Sequence, residues 1–190
     1  RLDRLLDEKI SNFVTLINDT ERYYKNDLFG KRVNLNYDLL NTKIDIQTLT
    51  EEILKHQGKK ILIECIKKDT AEELYKNLKE KIDNVYIMTG DDNKYSRQNI
   101  IEKTKKDMSI VLVATQTIEA GVDIDMDIGF KDISFIDSEE QFLGRINRSN
   151  KKKDCIAYFF NLDDANAIYR KDKRLQYNLN KEISREWINN

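Results

Sequence analysis

The sequence predicts an α/β fold: a three-layer sandwich whose mainly parallel sheet carries helices on both faces. Three observations lead there. Short β-branched runs at 60–66 and 110–114 are almost continuously apolar, as strands covered on both faces of a parallel sheet must be. Stretches with helical spacing of apolar residues, at 46–56, 71–81 and 95–106, lie between such runs. Strand and helix alternate at short intervals, and right-handed crossovers then distribute the helices over the two faces.

Taken in order, Leu2, Leu5, Leu6, Ile10, Phe13, Val14 and Ile17 keep the helical period, which predicts an amphipathic helix ending near Asn18. Its apolar stripe packs against the main domain or belongs to the connection from a preceding one. Residues 1–30 are therefore taken as a leading helix and connector, and 31–190 as the domain with a C-terminal helix. Residues 32–37 alternate as an edge strand does. Asp45 can cap a helix at 46–56 that turns Leu49, Ile53 and Leu54 inward, with Gly58 ending it. After the 60–66 strand, Asp69 or Thr70 can cap the next helix, which runs through Leu74 and Leu78. A strand at 84–88 leads by Thr89-Gly90-Asp91-Asp92 into a helix with Ile100, Ile101 and Met108 as its apolar positions. Beyond the 110–114 strand, 128–133 and 155–160 read as further strands. Asp137 or Ser138 caps the intervening helix, and Asp163-Asp164 begins a last one through Ile168 and Tyr169.

Composition narrows the function. The 190 residues suit one domain with a substantial core. Lys and Arg number 33 against 34 Asp and Glu, so a nucleic-acid surface, if present, is a local patch rather than a global basic excess. No apolar run approaches the roughly 20 residues of a membrane helix, and the first segment does not resemble a signal peptide. Cys65 and Cys155 sit in apolar runs, as buried reduced thiols of a cytoplasmic protein would. His56 is the single histidine, which argues against a histidine-based metal site or a Ser/His triad, and no metal site is expected in the chain.

Two runs carry the chemistry. The first leaves the 110–114 strand as Thr115-Gln116-Thr117-Ile118-Glu119-Ala120-Gly121-Val122-Asp123-Ile124-Asp125. Open parallel sheets bind ligands beyond the carboxyl ends of their strands, so these hydroxyl, amide and carboxylate groups emerge where a ligand would meet them. Gly121 permits a tight or left-handed turn. Polar turns also follow Glu64, so the strand ends at Glu64 and Ala114 are expected on one rim. The second run is Gln141-Phe142-Leu143-Gly144-Arg145-Ile146-Asn147-Arg148. Spacings of three and four would set Gln141, Arg145 and Arg148 on one helical face, with Gly144 leaving room against it. Two guanidinium forks and a carboxamide suit phosphate oxygens and an attacking water.

In order, the two runs resemble motifs V and VI of superfamily 2 helicases, and the wording of the first most resembles the helicase of type I CRISPR-Cas interference. The strand and helix at 60–81 resemble motif IV. The resemblance covers about 29–169 and implies a second RecA-like domain. It implies that Arg145 and Arg148 reach the γ-phosphate of ATP with Gln141 beside the attacking water. Glu119, Gly121, Asp123 and Gly144 would border the nucleotide, and Thr115, Gln116 and Arg97 would meet single-stranded DNA. The sequence lacks the Gly-x-x-x-x-Gly-Lys-[Ser/Thr] loop and the acidic magnesium motif: Gly58-Lys59-Lys60 has neither the upstream glycine nor the following hydroxyl. ATP and magnesium are thus expected to be held mainly by a first RecA-like domain, the partner on which this one closes, with a CRISPR effector complex as a further partner. Phe142 departs from the pattern, which often has a basic residue there. Two alternatives remain: the motor domain of another superfamily 2 RNA or DNA translocase, and a non-enzymatic doubly wound binding module.

Overall fold

The computed structural model describes residues 32–41, 44–118 and 121–169. The leading helix expected in 1–18 and the region beyond Tyr169 lie outside them. Among the described residues six strands form one sheet: β1 (Asn34–Asn36), β2 (Lys60–Glu64), β3 (Val85–Met88), β4 (Ile110–Ala114), β5 (Ile128–Asp132) and β6 (Ile156–Phe160). Their order is β1-β6-β5-β2-β4-β3, and every pairing is parallel. Strand β4 lies between β2 and β3 and is buried at all five positions, as its unbroken apolar run requires. Glu64 stands opposite Ala114, so those two strand ends do share a rim. β1 is an edge strand, as its alternation indicated, though only three residues long.

Helices α1 (Ile46–Leu54) and α2 (Lys68–Lys79) cover one face. There Leu49, Ile53, Ala71, Leu74 and Leu78 join Ile61, Ile63, Val111 and Val113 in one cluster. Helices α3 (Lys94–Lys106) and α4 (Ile136–Leu143) cover the other, where Ile100, Ile101 and Phe142 meet Leu62, Leu112 and Ala114. Successive strand residues thus feed opposite cores, each buried large side chain contributing roughly 1.5–3 kcal/mol. A short α5 (Ala165–Ile168) follows β6. Among the described residues no helix is long and apolar enough to cross a membrane.

Local signals set some helix ends and tertiary contacts set others. Asp45 caps α1 by accepting from the Thr48 amide at 2.7 Å, and Asn93 caps α3 through the Ser96 amide at 2.9 Å. Helix α2 instead starts at Lys68, before both expected caps. Its N-cap Lys67 is held by Asp163, which takes the Lys67 amide at 3.3 Å and its ammonium at 3.0 Å. Asp69 falls in the first turn, where a carboxylate favours the positive end of the helix dipole. Neither Asp137 nor Ser138 caps α4, whose N-cap is Phe135; the Ser138 hydroxyl turns into the interior. Met108 lies past the end of α3 and is 90% exposed rather than apolar core.

Candidate functional site

The chain leaving β4 crosses the end of β3. Thr115 donates its amide to the Met88 carbonyl at 3.2 Å, and the Thr117 hydroxyl reaches the same oxygen at 3.3 Å. Arg97, three residues into α3, donates from one terminal nitrogen to the Thr89 and Gly90 carbonyls at 3.0 and 2.8 Å. Thr115 and Arg97 therefore meet the same stretch at the β3 carboxyl end, with Arg97 fastening the turn there. Gln116 donates its carboxamide to the Tyr169 hydroxyl, and the Tyr169 ring packs on Phe135 at 4.7 Å. Glu119 lies outside the described residues.

From Gly121, left-handed at φ 73°, the chain runs back along the sheet face to the amino end of β5. Val122, Ile124 and Met126 are buried beneath this segment, while Asp123, Asp125 and Asp127 alternate outward. A period of two over an apolar floor is the pattern of an extended strand. Met126 forms an isolated parallel bridge with Ile146: its amide donates to the Arg145 carbonyl at 2.9 Å, and its carbonyl accepts from the Asn147 amide at 2.8 Å.

That bridge corrects the expectation that Gln141, Arg145 and Arg148 share a helical face. Helix α4 ends at Leu143 with Gly144 as its C-cap; Gln141 is exposed in its last turn, and Arg145 and Arg148 follow in turns. The cause is long-range, since pairing Ile146 with Met126 draws the backbone out of the helix. Asn147 holds the exit in a left-handed conformation at φ 46°. Its carboxamide donates to the Arg32 and Lys152 carbonyls at 2.8 and 3.0 Å and accepts from the Lys152 amide at 3.0 Å. The three atoms nearest a Cβ on Gly144 would all belong to its own preceding turn, Gln141 O first at 3.1 Å.

The two motif runs nevertheless come together. Arg145 donates from Nε to the Ile118 carbonyl at 3.2 Å. Arg148 donates its amide to Asp125 Oδ1 at 2.9 Å, and its side chain, 45% exposed, pairs with Asp123 at 3.5 Å. The other oxygen of Asp123 faces Lys105 at 3.3 Å, and Lys152 bridges Asp125 and Asp127 at 3.4 and 2.7 Å. Burial and the adjacent Arg148 lower the Arg145 pKa against the pull of Asp123 and Glu64; the guanidinium stays protonated. Burial opposes ionisation of Asp125, yet the Ser149 hydrogen bond and the charge of Lys152 hold its carboxyl below the usual range.

Several contributing residues carry no motif signal. Lys131 and Glu64, 1% and 0% exposed, form a buried ion pair at 2.8 Å between β5 and β2. A lysine followed by an aspartate inside a buried run was the available hint. Gly129 is the second: a Cβ there would lie 2.8 Å from the Phe142 ring, so its bare backbone is what lets α4 lie against β5. Phe142, the departure from the motif pattern, is a fully buried wedge. Arg32 is the third, donating to the Leu143 carbonyl at 2.9 Å where α4 ends. Among the described residues no group of three or more His, Cys, Asp or Glu side chains could hold a metal ion.

The profile of the Cas3-like C-terminal family, described as CRISPR-associated nuclease/helicase Cas3, C-terminal, matches residues 57–151, half of the chain. A CRISPR-associated nuclease/helicase Cas3 of Methanothermobacter thermautotrophicus is 33% identical over 116 residues, 58% of this chain and 14% of that protein. The ATP-dependent RNA helicase DDX42 of Gallus gallus is 33% identical over 95 residues, 48% of this chain and 10% of that protein. The chain thus spans a small fraction of the length of both relatives. Among solved structures, T. fusca Cas3 superposes with a TM-score of 0.58 at 18% identity, over 72% of this chain and 20% of that one. The C-terminal domain of the DEAD-box protein Dbp5 gives 0.57 at 20% identity, over 71% and 78%. The all-parallel sheet with helices on both faces is the RecA-like fold shared with these domains.

Proposed function

The chain belongs to the Cas3-like C-terminal family of CRISPR-associated nuclease/helicases, and on that premise we propose that it is the second motor domain of an ATP-dependent DNA helicase of type I CRISPR-Cas interference. On this proposal residues 31–190 are assigned to that domain and 1–30 to the segment that leads into it. The observation that carries the reading is the meeting of the two motif runs, Arg145 on the Ile118 carbonyl and Arg148 on Asp123 and Asp125. Such a meeting is what a surface needs if it is to close as a unit over a nucleotide held by a P-loop domain.

The residues fit a nucleotide's polyphosphate edge. Arg148 is solvent-accessible, and guanidinium forks match phosphate oxygens. Bound ATP with magnesium supplies the phosphoanhydride whose hydrolysis drives movement, and a first RecA-like domain holds most of both. In this chain Arg145 and Arg148 stabilise charge developing on the γ-phosphate, and Gln141 orients the attacking water. Glu119, Gly121, Asp123 and Gly144 border the nucleotide. Arg148 exchanges Asp123 for phosphate, and Lys105 remains to pair the carboxylate. Thr115, Gln116 and Arg97 contact single-stranded DNA at the β3 and β4 ends, and a CRISPR effector complex delivers that strand.

The test is nucleic-acid-stimulated ATP hydrolysis by the complete enzyme. Arg145→Ala or Arg148→Ala is expected to lose about 10³–10⁵ in turnover, roughly 4–7 kcal/mol, with nucleotide binding weakened far less. Residues 1–190 alone are expected to hydrolyse no ATP above background. Wild-type turnover in both arginine variants would refute the reading. Similarity to the RNA helicase DDX42 favours a second reading, an RNA translocase, and stimulation by single-stranded RNA but not DNA would select it. Binding of either strand by the isolated chain is expected to be weak and to fall steeply with salt, and to drop further in the Thr115→Ala, Gln116→Ala double variant.

A further inference from the structure

Behind the arginine turn, the buried Glu64 and Lys131 belong to a closed hydrogen-bonded ring. The Lys131 ammonium donates to Glu64 Oε1 at 2.8 Å and to Ser134 Oγ at 3.2 Å. Ser134 Oγ donates to Ser138 Oγ at 3.3 Å, and Ser138 Oγ to Glu64 Oε1 at 3.5 Å, which closes it. The Asp132 carbonyl takes a further Lys131 proton at 3.0 Å. All four side chains belong to buried residues, and they come from β2, β5, the loop after β5, and α4.

A ring of this kind is a poor way to gain stability. Removing two charges from water costs several kcal/mol each, and apolar replacements of buried ion pairs are often neutral or stabilising. What the ring does is directional. Ser138 lies one turn before Gln141 on the same helix, so the ring fixes the first half of α4 to the ends of β2 and β5. Phe142 against Gly129 fixes the second half. Two anchors on an eight-residue helix determine its inclination, and the turn bearing Arg145 leaves directly from its end.

We propose that the Glu64–Lys131–Ser134–Ser138 ring is a positioning device, setting the tilt of α4 and through it the location of Gln141 and Arg145 against the motif V loop. The proposal deepens the helicase reading and rests on it. Ser138 and Lys131 are positioning residues; neither touches nucleotide.

The experiment pairs two perturbations in the complete enzyme: Glu64→Leu with Lys131→Met, which replaces the ion pair by apolar groups, and Ser138→Ala, which removes one hydroxyl from the α4 side. Each is read by melting midpoint, by kcat and KM for ATP, and by hydrogen exchange of amides 139–146. The double variant is expected to keep or raise its midpoint, since apolar replacement is tolerated. A displacement of the arginine by about 1 Å should lower kcat roughly 10²-fold while KM moves little. Ser138→Ala should lower kcat in the same sense and speed exchange at 139–146, and Ser138→Thr, which keeps the hydroxyl, should restore both. Unchanged kcat in a folded double variant overturns the proposal, as does a kcat loss no larger than the loss of folded enzyme. If the double variant does not fold, Ser138→Ala decides alone. Arg145→Ala is run in parallel: if it turns over normally, the helicase reading fails, and exchange at 139–146 in Ser138→Ala then supports or overturns the ring by itself.

Discussion

Gly129→Ala tests how α4 is seated, and its cost can be worked from the contacts. The added Cβ would stand 2.8 Å from Cε1 and Cζ of Phe142 and 3.0 Å from Cδ1 of Ile146. Carbon atoms pack at about 3.5–4.0 Å, so the ring must retreat by roughly 0.7–1 Å. Phe142 and Ile146 are both fully buried, so neither has empty space to enter. Overpacking of this kind costs about 1–3 kcal/mol, offset by roughly 0.4–1 kcal/mol from stiffening the unfolded chain. A net loss of about 1–2 kcal/mol should lower the melting midpoint by roughly 2–8 °C in a domain of this size. Denaturant unfolding of Gly129→Ala, Phe142→Leu and the double variant is the assay. Phe142→Leu removes the clashing ring atoms, so the double variant should lose less than the sum of the singles. A stable Gly129→Ala, or losses that add within about 0.5 kcal/mol, would refute the seating argument.

Asn147→Ala should destabilise by roughly 2–4 kcal/mol, since it removes three part-buried hydrogen bonds and leaves alanine in a left-handed turn; Asn147→Gly should recover about 1 kcal/mol of strain, and equal thermal melts for the two would count against it. Burial, opposed by the Leu162 amide hydrogen bond and reinforced by the charge of Asp163, pushes the Asp132 carboxyl up to about 7 from its ordinary 3.8. A raised carboxyl favours the folded state when protonated, so its contribution is full below about pH 4 and is lost as pH rises through about 7. Urea titrations of wild type against Asp132→Asn across pH 4–8 should show that difference changing, and a constant offset would dismiss it.

What the sequence disclosed follows the range of the forces involved. Strands β2, β4 and β6 were legible because a place inside a parallel sheet leaves nearly continuous apolar runs, and the cap of α1 because Asp45 acts on the amide three residues ahead. The juxtaposition of Thr115 with the end of β3 was not, though its rim position was, because open parallel sheets expose polar groups at their carboxyl ends. The end of α4 was illegible. Spacings of three and four from Gln141 to Arg148 fit a continuous helix, and what stops it is Met126, twenty positions away in the chain from Ile146. The Glu64–Lys131 pair depends on β2 lying beside β5, and strand order leaves no trace in a single sequence. Phe142 looked like a lost contact because Gly129, the residue it packs against, is brought beneath it by the tertiary fold from thirteen positions away.

Strand β1 has a consequence for the order in which the domain assembles. Among the described residues its one sheet neighbour is β6, so the first strand described waits for the last. The same closure brings Arg32 to the Leu143 carbonyl and Asn147 to the Arg32 carbonyl, contacts spanning 111 and 115 positions. Loops of that length close late, after local βα units have formed. During synthesis the five inner and far-edge strands can begin to pair as they emerge, but β1 cannot dock until β6 has left the ribosome. The arginine turn therefore gains its final restraints only when the chain is complete through residue 160, and a product truncated before β6 would carry both motif runs without the clamp that holds the second in place.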